Sequence, residues 1–286
     1  MNKKYIFFDV DGTLMNIRGE MEGSTRDALI KLREQGHEIF LATGRGYFNI
    51  PNFIRELGFS GMVLTDGAYV EYNKEVLAHQ TMDKSELDAL AIAIETGNGH
   101  LMYFGKEGGY IAKRSVEVFQ SWLEVLVSES PVWLEAQGNV EVLESLHHIT
   151  NQNIEKLIFL DYEGDLEKLK KDFGHYFTIL PSNLADQSDT STGEITRHDI
   201  CKADGIEMIL KHIGAAKENV IAFGDGLNDI EMLELANVGV AMGNGAPQLK
   251  EIADVVTTSI GDDGIYNGLK RLGLSSKKEL KCGGNT

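Results

Sequence analysis

The segment that decides the fold is FFDVDGTL, residues 7–14, in which an apolar run ends in two acids and a glycine. Strand alternation would place Asp9 and Asp11 on the same side, but the strand ends here and Gly12 permits a sharp turn. Two carboxylates therefore gather at the C-terminal edge of a strand, where ligands bind in open parallel sheets. Such a pair can bind a hard cation, supply a nucleophile or divide acid and base roles, or it can be an Asx-type turn with two solvated acids.

Short predicted strands alternate with predicted helices on either side of this segment. Residues 24–35 are predicted to be a helix, because a Ser/Thr start and a stop at Gly36 bound an apolar face. Apolar runs predict further buried strands at residues 37–43, 61–65, 220–223, 238–242 and 255–257. This alternation predicts a doubly wound, mainly parallel α/β core of the Rossmann type.

A stretch with a different pattern interrupts this core. Asp83 and Glu86 have the spacing of a capping box at the start of a helix, and residues 100–113 predict an antiparallel hairpin. The polar residues 182–192 are predicted to form a loop and hinge. We therefore expect a catalytic core and an inserted α+β cap domain, with the boundaries 1–82 and 194–286 for the core and 83–193 for the cap.

Composition and charge exclude several classes of function. The chain has 286 residues and a formal net charge of −17, which disfavours nucleic acid and anionic membranes as partners. No apolar run approaches the ~20 residues needed to cross a bilayer, and no signal-peptide core is present, so we expect a cytoplasmic protein with no membrane partner. Cys201 and Cys282 are interpreted as free thiols. The sequence assigns no oligomeric state.

Two further segments place phosphate-binding groups at predicted element ends. Thr43 and Gly44 end a predicted strand, where a hydroxyl and a backbone N–H can bind a phosphate oxygen, although a simple turn has the same sequence. Lys202 opens a helix directly after the insertion, where its ammonium can neutralise a phosphate, the alternative being an ordinary surface lysine. For Lys113 and Arg114 of the cap, a solvated cationic surface is preferred over contact with a second anionic group.

Residues 224–229, GDGLND, again follow an apolar strand and precede a helix. Asp225, Asn228 and Asp229 can complete a magnesium site built from oxygen ligands, or they can form a loop with an Asn/Asp helix cap. The two interpretations are compatible.

These four segments, in this order, resemble the motifs of the haloacid-dehalogenase-like hydrolase superfamily, and more closely its Cof-like phosphatases with a type II cap. The resemblance extends over essentially the whole chain. It implies that Asp9 is the nucleophile that forms an aspartyl-phosphate and that Asp11 is the general acid and base. It also implies that Thr43, Gly44 and Lys202 bind the transferring phosphate.

The resemblance further implies a Mg²⁺ cofactor. Its ligands would be oxygen atoms of Asp9 and Asp225 and the main-chain carbonyl of Asp11. Asn228 would bind phosphate, and Asp229 would support the site by orienting its neighbours. Mg²⁺ and a lysine would compensate the charge when an anionic carboxylate attacks an anionic phosphate.

The substrates implied by the resemblance are small phosphorylated metabolites, particularly sugar phosphates. A sugar phosphomutase and a non-enzymatic sensor of phosphorylated ligands are the alternatives, whereas dehalogenase chemistry is disfavoured because Asp11 is present. Two positions depart from the family pattern: Asp66 stands where related sequences often have Asn, and Ala203 stands where they commonly have Gly. We expect the first departure to alter a substrate contact.

Overall fold

The computed structural model describes residues 2–129, 140–149, 153–181 and 191–274. The first run of elements comprises β1 (Tyr5–Phe8), α1 (Gly23–Glu34), β2 (Glu38–Ala42), α2 (Asn52–Arg55), β3 (Gly61–Leu64), β4 (Tyr69–Tyr72) and β5 (Glu75–His79). The middle run comprises α3 (Lys84–Thr96), β6 (His100–Gly105), β7 (Gly109–Ala112), α4 (Val116–Glu129), β8 (Val140–Leu143), β9 (Ile154–Leu160), α5 (Leu166–Phe173), β10 (Phe177–Pro181) and β11 (Gly193–Arg197). The last run comprises α6 (Lys202–Ile213), β12 (Val220–Gly224), α7 (Ile230–Leu235), β13 (Val238–Ala241), α8 (Pro247–Ile252), β14 (Val255–Val256) and α9 (Gly264–Arg271).

An eight-stranded sheet joins the first and last runs in the order β14-β13-β12-β1-β2-β3-β4-β5. The strands from β14 to β3 are parallel, and β4 and β5 add an antiparallel edge. Strand β1 is buried on both faces: Ile6 and Phe8 pack in the same apolar cluster as α1 and α9, whereas Phe7 packs with α6, α7 and α8. The predicted doubly wound α/β core is confirmed.

The carboxyl ends of the central strands meet at one edge of this sheet. Phe8 of β1 pairs with Leu41 of β2 on one side and with Phe223 of β12 on the other. The residues that follow these three strands therefore lie side by side. This register brings together the candidate segments that are far apart in the sequence.

The middle run forms a six-stranded sheet in the order β10-β11-β9-β6-β7-β8, antiparallel except for the parallel pair of β7 and β8. Helices α3 and α5 cover one face of this sheet, and α4 packs on the other. The predicted helix start at Asp83 is confirmed, because its carboxylate accepts the N–H groups of Ser85 and Glu86 at 2.8 and 3.4 Å. A mixed α+β insertion thus accompanies the parallel core, as the sequence predicts.

The sequence prediction missed several elements. The hairpin of β4 and β5 turns at Asn73 and Lys74, both with positive φ (47° and 69°), without the Asn-Gly pair that usually marks such a turn. Strands β8 and β11 and helices α8 and α9 were also missed. The boundaries at residues 82/83 and 193/194 stay a prediction, and β11, which the second would cut, pairs within the six-stranded sheet. Of the predicted hinge, residues 182–190 lie outside the described residues.

Helix length and cysteine state bear on two further expectations. Among the helices of the described ranges, none is long and apolar enough to span a membrane. Cys201 is a free thiol that precedes α6, and Cys282 lies beyond the described residues.

Candidate active site

Asp9 and Asp11 follow β1 and differ in their surroundings. The Asp9 N–H donates to the Phe223 carbonyl at 3.0 Å, which continues the pairing of β1 with β12, and the Asp9 side chain is 8% exposed. The Asp11 side chain is 53% exposed. Between them the chain turns, since Leu14 and Met15 donate back to the Val10 carbonyl. One carboxylate is therefore fixed in the sheet edge, whereas the other is half exposed. The region between this edge and residues 155–156 of β9, which contact its loops, is called the cleft below.

Gly12 makes room for a third carboxylate. It has φ of +79°, and a Cβ atom there would lie 2.1 Å from Oδ2 of Asp225. The hydroxyl of the next residue, Thr13, donates to Oδ1 of Asp225 at 2.9 Å. A larger residue at position 12 would displace Asp225, so the glycine is needed for a contact as well as for a turn.

Lys202 is the first residue of α6, and its side chain is fully buried. Its Nζ donates to Oδ1 of Asp9 at 2.8 Å and to Oδ1 of Asp229 at 2.5 Å. Burial acts to lower the pKa of this ammonium, but the charges of Asp229 and Asp9 outweigh burial, so the pKa is raised. Lys202 is a charged group of the site, and the surface-lysine interpretation is wrong.

Asp229 holds the loop after β12. Its Oδ2 accepts the backbone N–H groups of Asp225 and Gly226, both at 2.9 Å, while its Oδ1 accepts from Lys202. Both oxygens of this buried carboxylate are thus engaged. Asp229 thus orients the loop and the lysine, and its supporting role in catalysis stays a prediction.

Asp9, Asp225 and Asp229 each place one carboxylate oxygen within 4.8 Å of the others. Burial and then the charge of Asp229 raise the pKa of Asp225 to about 7. The pKa of Asp9 is also raised, chiefly by burial, with Lys202 opposing the shift. Crowded carboxylates of this kind fit a hard cation with oxygen ligands. Because Asp229 already accepts three N–H bonds, Asp9 and Asp225 are the acids with capacity to bind it.

Thr43 and Gly44 follow β2 directly beside the end of β1. The Thr43 N–H donates to the Val63 carbonyl at 2.9 Å, and its buried hydroxyl accepts the Arg45 N–H at 3.2 Å. The loop is therefore an ordered extension of the strand. The structure brings both candidate residues to the edge that carries Asp9.

Arg45 is a site residue that the sequence prediction missed. Its Nε and Nη2 donate to the two oxygens of Asp11 at 2.7 and 2.8 Å, and its Nη1 donates to the Asn49 carbonyl at 2.8 Å. Desolvation acts to raise the pKa of Asp11, but the Arg45 charge and hydrogen bonds outweigh it, so this pKa is lowered. The sequence could have indicated Arg45 as a site residue, because it directly follows Thr43 and Gly44.

Asn228 lies on the exposed rim of the site. Its amide donates to Oδ1 of Asp66 at 2.9 Å. Asp66 is one of the two positions noted above as departures from the family pattern, and it belongs to a turn with positive φ at Thr65 (49°) and Asp66 (52°). Asn228 therefore contacts the altered position directly.

Cations of the segment inserted between the two runs of the eight-stranded sheet divide into two groups. Lys113 pairs with exposed Glu144 at 3.0 Å, and Arg114 pairs with Glu95 at 3.2 Å. Lys156 of β9 is instead buried, and its Nζ lies 3.3 Å from the Gly44 carbonyl. The preferred surface interpretation of Lys113 and Arg114 agrees with these contacts, whereas Lys156 was missed because it lies inside a strand-like run.

These features define a class of enzyme: an α/β core whose buried carboxylates and lysine meet at the carboxyl edge of parallel strands, with a second sheet inserted between β5 and β12. The chain belongs to the haloacid dehalogenase-like hydrolase family, since a model of that family matches residues 6–269. The resemblance stated from the motifs is thereby confirmed.

Individual relatives agree with this assignment. The chain is 29% identical over 278 residues to "Putative phosphatase YkrA" of Bacillus subtilis, covering 96% of this chain and 99% of the relative. It is 26% identical over 285 residues to Phosphatase YwpJ of the same species, covering 94% and 99%. Among solved structures, the HAD subclass IIB sugar phosphatase BT4131 superposes with a TM-score of 0.74 at 26% identity, covering 95% of this chain and all of BT4131.

Proposed function

We propose that this chain is a Mg²⁺-dependent phosphatase that hydrolyses small phosphomonoesters, particularly sugar phosphates, through an aspartyl-phosphate on Asp9. The observation that carries the proposal is the buried contact of Asp9 with Lys202 beside Asp225. A nucleophile, a cation for phosphate and a further carboxylate for the metal share one sheet edge. The family and the phosphatase names of relatives support a phosphoric monoester hydrolase.

The residues present fit Mg²⁺. Asp9 and Asp225, together with the main-chain carbonyl of Asp11, would supply oxygen ligands, which this ion prefers. The bound ion would supply positive charge that lets an anionic carboxylate approach an anionic phosphate. Lys202, which donates to Asp9, adds a second fixed positive charge.

In the first half of the reaction, a carboxylate oxygen of Asp9 attacks phosphorus, and the bond from phosphorus to the ester oxygen breaks. Lys202, the Thr43 hydroxyl and the Gly44 N–H bind the phosphate oxygens as their charge redistributes. Asp11 gives a proton to the departing alcohol oxygen. The products of this step are a free alcohol and an aspartyl-phosphate.

In the second half, Asp11 takes a proton from water, and the water oxygen attacks phosphorus. The bond from phosphorus to Asp9 breaks and inorganic phosphate leaves. The pair with Arg45 suits this base role, because the guanidinium keeps Asp11 ionised. For the acid role Asp11 must leave Arg45 and carry a proton, so substrate binding would have to separate the pair.

The division of labour follows the two sheets. We propose that residues 1–82 and 194–286 form the catalytic core and that residues 83–193 form a cap that selects the leaving group. In support, Asp9, Asp11, Thr43, Lys202 and Asp225 all lie in segments that flank the eight-stranded sheet.

The test is turnover of p-nitrophenyl phosphate and a panel of sugar monophosphates by purified protein, with Mg²⁺ and with chelator. We expect stoichiometric inorganic phosphate that disappears on chelation and in Asp9→Asn. Full activity after metal removal would overturn the mechanism. An isomerised sugar phosphate would indicate a phosphomutase, and binding without turnover would indicate a sensor.

A further inference from the structure

The start of strand β9 contacts two loops of the catalytic edge. Glu155 accepts the Thr65 hydroxyl at 2.9 Å, and the neighbouring Lys156 donates to the Gly44 carbonyl at 3.3 Å. The pairing of β9 with β6 shifts register at Glu155, between Ile154 and Lys156, and these adjacent residues of one strand reach two different loops. This end of the six-stranded sheet therefore borders the proposed phosphate site.

Lys156 shares its sheet face with an acid. On β11, Glu194 pairs with Ile158, so Glu194 and Lys156 lie on the same face two positions apart. The Lys156 Nζ donates to Oε2 of Glu194 at 2.5 Å, and its side chain is 10% exposed, against 37% for Glu194. The six-stranded sheet thus offers a buried donor with an acceptor beside it.

A further carboxylate lies on the opposite side of the cleft. Asp66 is packed so closely on the Gly44 loop that a Cβ atom on Gly44 would lie 3.1 Å from Oδ2 of Asp66. One of its oxygens accepts from Asn228, and its left-handed turn fixes its direction. Its charge acts on both Lys156 and Lys202.

These groups surround the place where the leaving group must lie. In the proposed reaction the ester oxygen has to reach Asp11, which gives it a proton. The charge of Lys156 acts on Asp11, and Lys156 contacts Gly44. The remainder of the leaving group would therefore extend past Asp11 toward Lys156, Glu194 and Asp66.

Four charged groups at this end of the cleft form two ion pairs. Arg45 is paired with Asp11, and Lys156 with Glu194, which leaves the carboxylate of Asp66 in excess among these five groups. A second phosphate or carboxylate on the substrate would have to compete with an existing partner and meet repulsion from Asp66. Hydroxyl groups, in contrast, can donate to carboxylates and accept from an ammonium at the same time.

We infer that Lys156, Glu194 and Asp66 form the leaving-group subsite, and that this subsite selects neutral, hydroxyl-rich leaving groups over those that carry a second anionic group. The inference rests on the proposed phosphatase function. It assigns specificity to three residues, two from the six-stranded sheet and one from the β3–β4 turn.

The experiment compares kcat/KM for three probes: glucose 6-phosphate, glucose 1,6-bisphosphate and p-nitrophenyl phosphate, which lacks sugar hydroxyls. The wild-type protein should prefer the monophosphate to the bisphosphate. Asp66→Asn retains the oxygen that accepts from Asn228 and removes only the charge. It should raise the bisphosphate-to-monophosphate ratio about tenfold, the effect of one partly screened charge. Glu194→Gln should change the ratio in the same direction.

Lys156→Met should lower kcat/KM for glucose 6-phosphate relative to p-nitrophenyl phosphate by roughly tenfold or more, because a charged donor to hydroxyls is lost. Lys113→Met is the matched control, since Lys113 also pairs with a glutamate of the inserted segment, Glu144, but both side chains are exposed. It should leave all three values unchanged. Thermal unfolding checks that each variant is folded, and the carboxamide variants test the subsite independently of Lys156→Met.

The outcomes separate the two proposals. If no ester is turned over, including p-nitrophenyl phosphate, the phosphatase function fails and the subsite fails with it. If esters are hydrolysed but the wild type prefers the bisphosphate, the subsite alone is wrong. The subsite is also wrong if Asp66→Asn and Glu194→Gln leave the bisphosphate-to-monophosphate ratio unchanged.

Discussion

Lys202 and Lys156 are buried lysines that approach one cleft from the two sheets, and their partners differ. Lys202 is fully buried and donates to two carboxylates, Asp9 and Asp229, at 2.8 and 2.5 Å. Lys156 has one carboxylate partner at 2.5 Å in its own sheet, and its contact with the catalytic edge is a longer bond, 3.3 Å, to a peptide oxygen.

The difference indicates different tasks. Both partners of Lys202 lie at the edge of the eight-stranded sheet, so its position does not depend on the inserted segment. It can stabilise a transferring phosphate whatever alcohol departs. The approach of Lys156 to Gly44 depends on how the six-stranded sheet sits over that edge. A lysine held in this way is suited to binding the leaving group and so to determining substrate specificity.

Removing the core lysine should have the largest effect. We expect Lys202→Met to lower kcat/KM by about 10²–10³ for sugar phosphates and p-nitrophenyl phosphate alike, the usual cost of losing one preorganised charge. Steady-state kinetics on both esters measures this. A loss of activity on only one of the two esters would contradict the proposed difference between the two lysines, because an ester-dependent loss is expected of Lys156.

Removing the charge from the partner of Arg45 should have the next largest effect. We expect Asp11→Asn to form a phosphoenzyme with p-nitrophenyl phosphate, whose leaving group needs little protonation, and to hydrolyse it about 10²-fold more slowly. Rapid quench with mass spectrometry measures the phosphorylated fraction. Phosphate on Asp9 in this variant supports the assignment, whereas normal phosphoenzyme formation in Asp9→Asn would contradict it.

Motif order was sufficient to predict that the candidate site residues meet at one edge of the sheet. An apolar run followed by Asp9, Thr43 or Asp225 gives the end of a strand, and parallel strands place their carboxyl ends together. Burial was harder to predict, because Lys202 has the sequence context of an ordinary helix start. Its burial follows from Asp9 and Asp229, which are 193 and 27 residues away.

Contacts between separate segments account for the remaining misses. Lys156 lies in an apolar strand sequence, where its spacing to Glu194 carries no local signal. Asp66 was recognised as a departure from the family pattern, but its bond to Asn228 spans 162 residues. Local periodicity predicts elements, whereas long-range pairs depend on how the two sheets are arranged.

The core lysine neutralises only part of its carboxylate cluster, which a stability measurement can show. The pKa of Asp225 is raised to about 7 by burial and by Asp229. This pKa in the folded protein exceeds the pKa of about 4 in the unfolded chain, so protonation of Asp225 favours the folded state. The resulting stabilisation is fully present below pH ~4 and is lost as pH rises through about 7.

We therefore expect metal-free Asp225→Asn to be more stable than the wild type at pH 8, by about 1–3 kcal/mol, and this gain to vanish toward pH 4. Chemical denaturation with chelator at both pH values measures the difference. Added Mg²⁺ should stabilise the wild type more than the variant. Equal stability of both proteins at pH 8 without metal would show that Lys202 alone is enough to neutralise the cluster.

The last comparison is between two lysine–glutamate pairs of the inserted segment, one buried and one exposed. Lys156 and Glu194 are joined by a bond of 2.5 Å with the lysine 10% exposed, whereas Lys113 and Glu144 are joined at 3.0 Å with both side chains largely exposed. Losing one partner of the buried pair leaves a poorly solvated charge, so Lys156→Met should cost about 1–3 kcal/mol of unfolding free energy. Lys113→Met should change it by less than about 0.5 kcal/mol, as is usual for exposed pairs. Urea denaturation of the full chain measures both.

In Lys156→Met/Glu194→Gln the stranded charge is removed, so part of the stability should return. Equal costs for Lys156→Met and Lys113→Met would mean that Lys156 is solvated in solution and would remove the basis for treating it as a second buried lysine of the cleft.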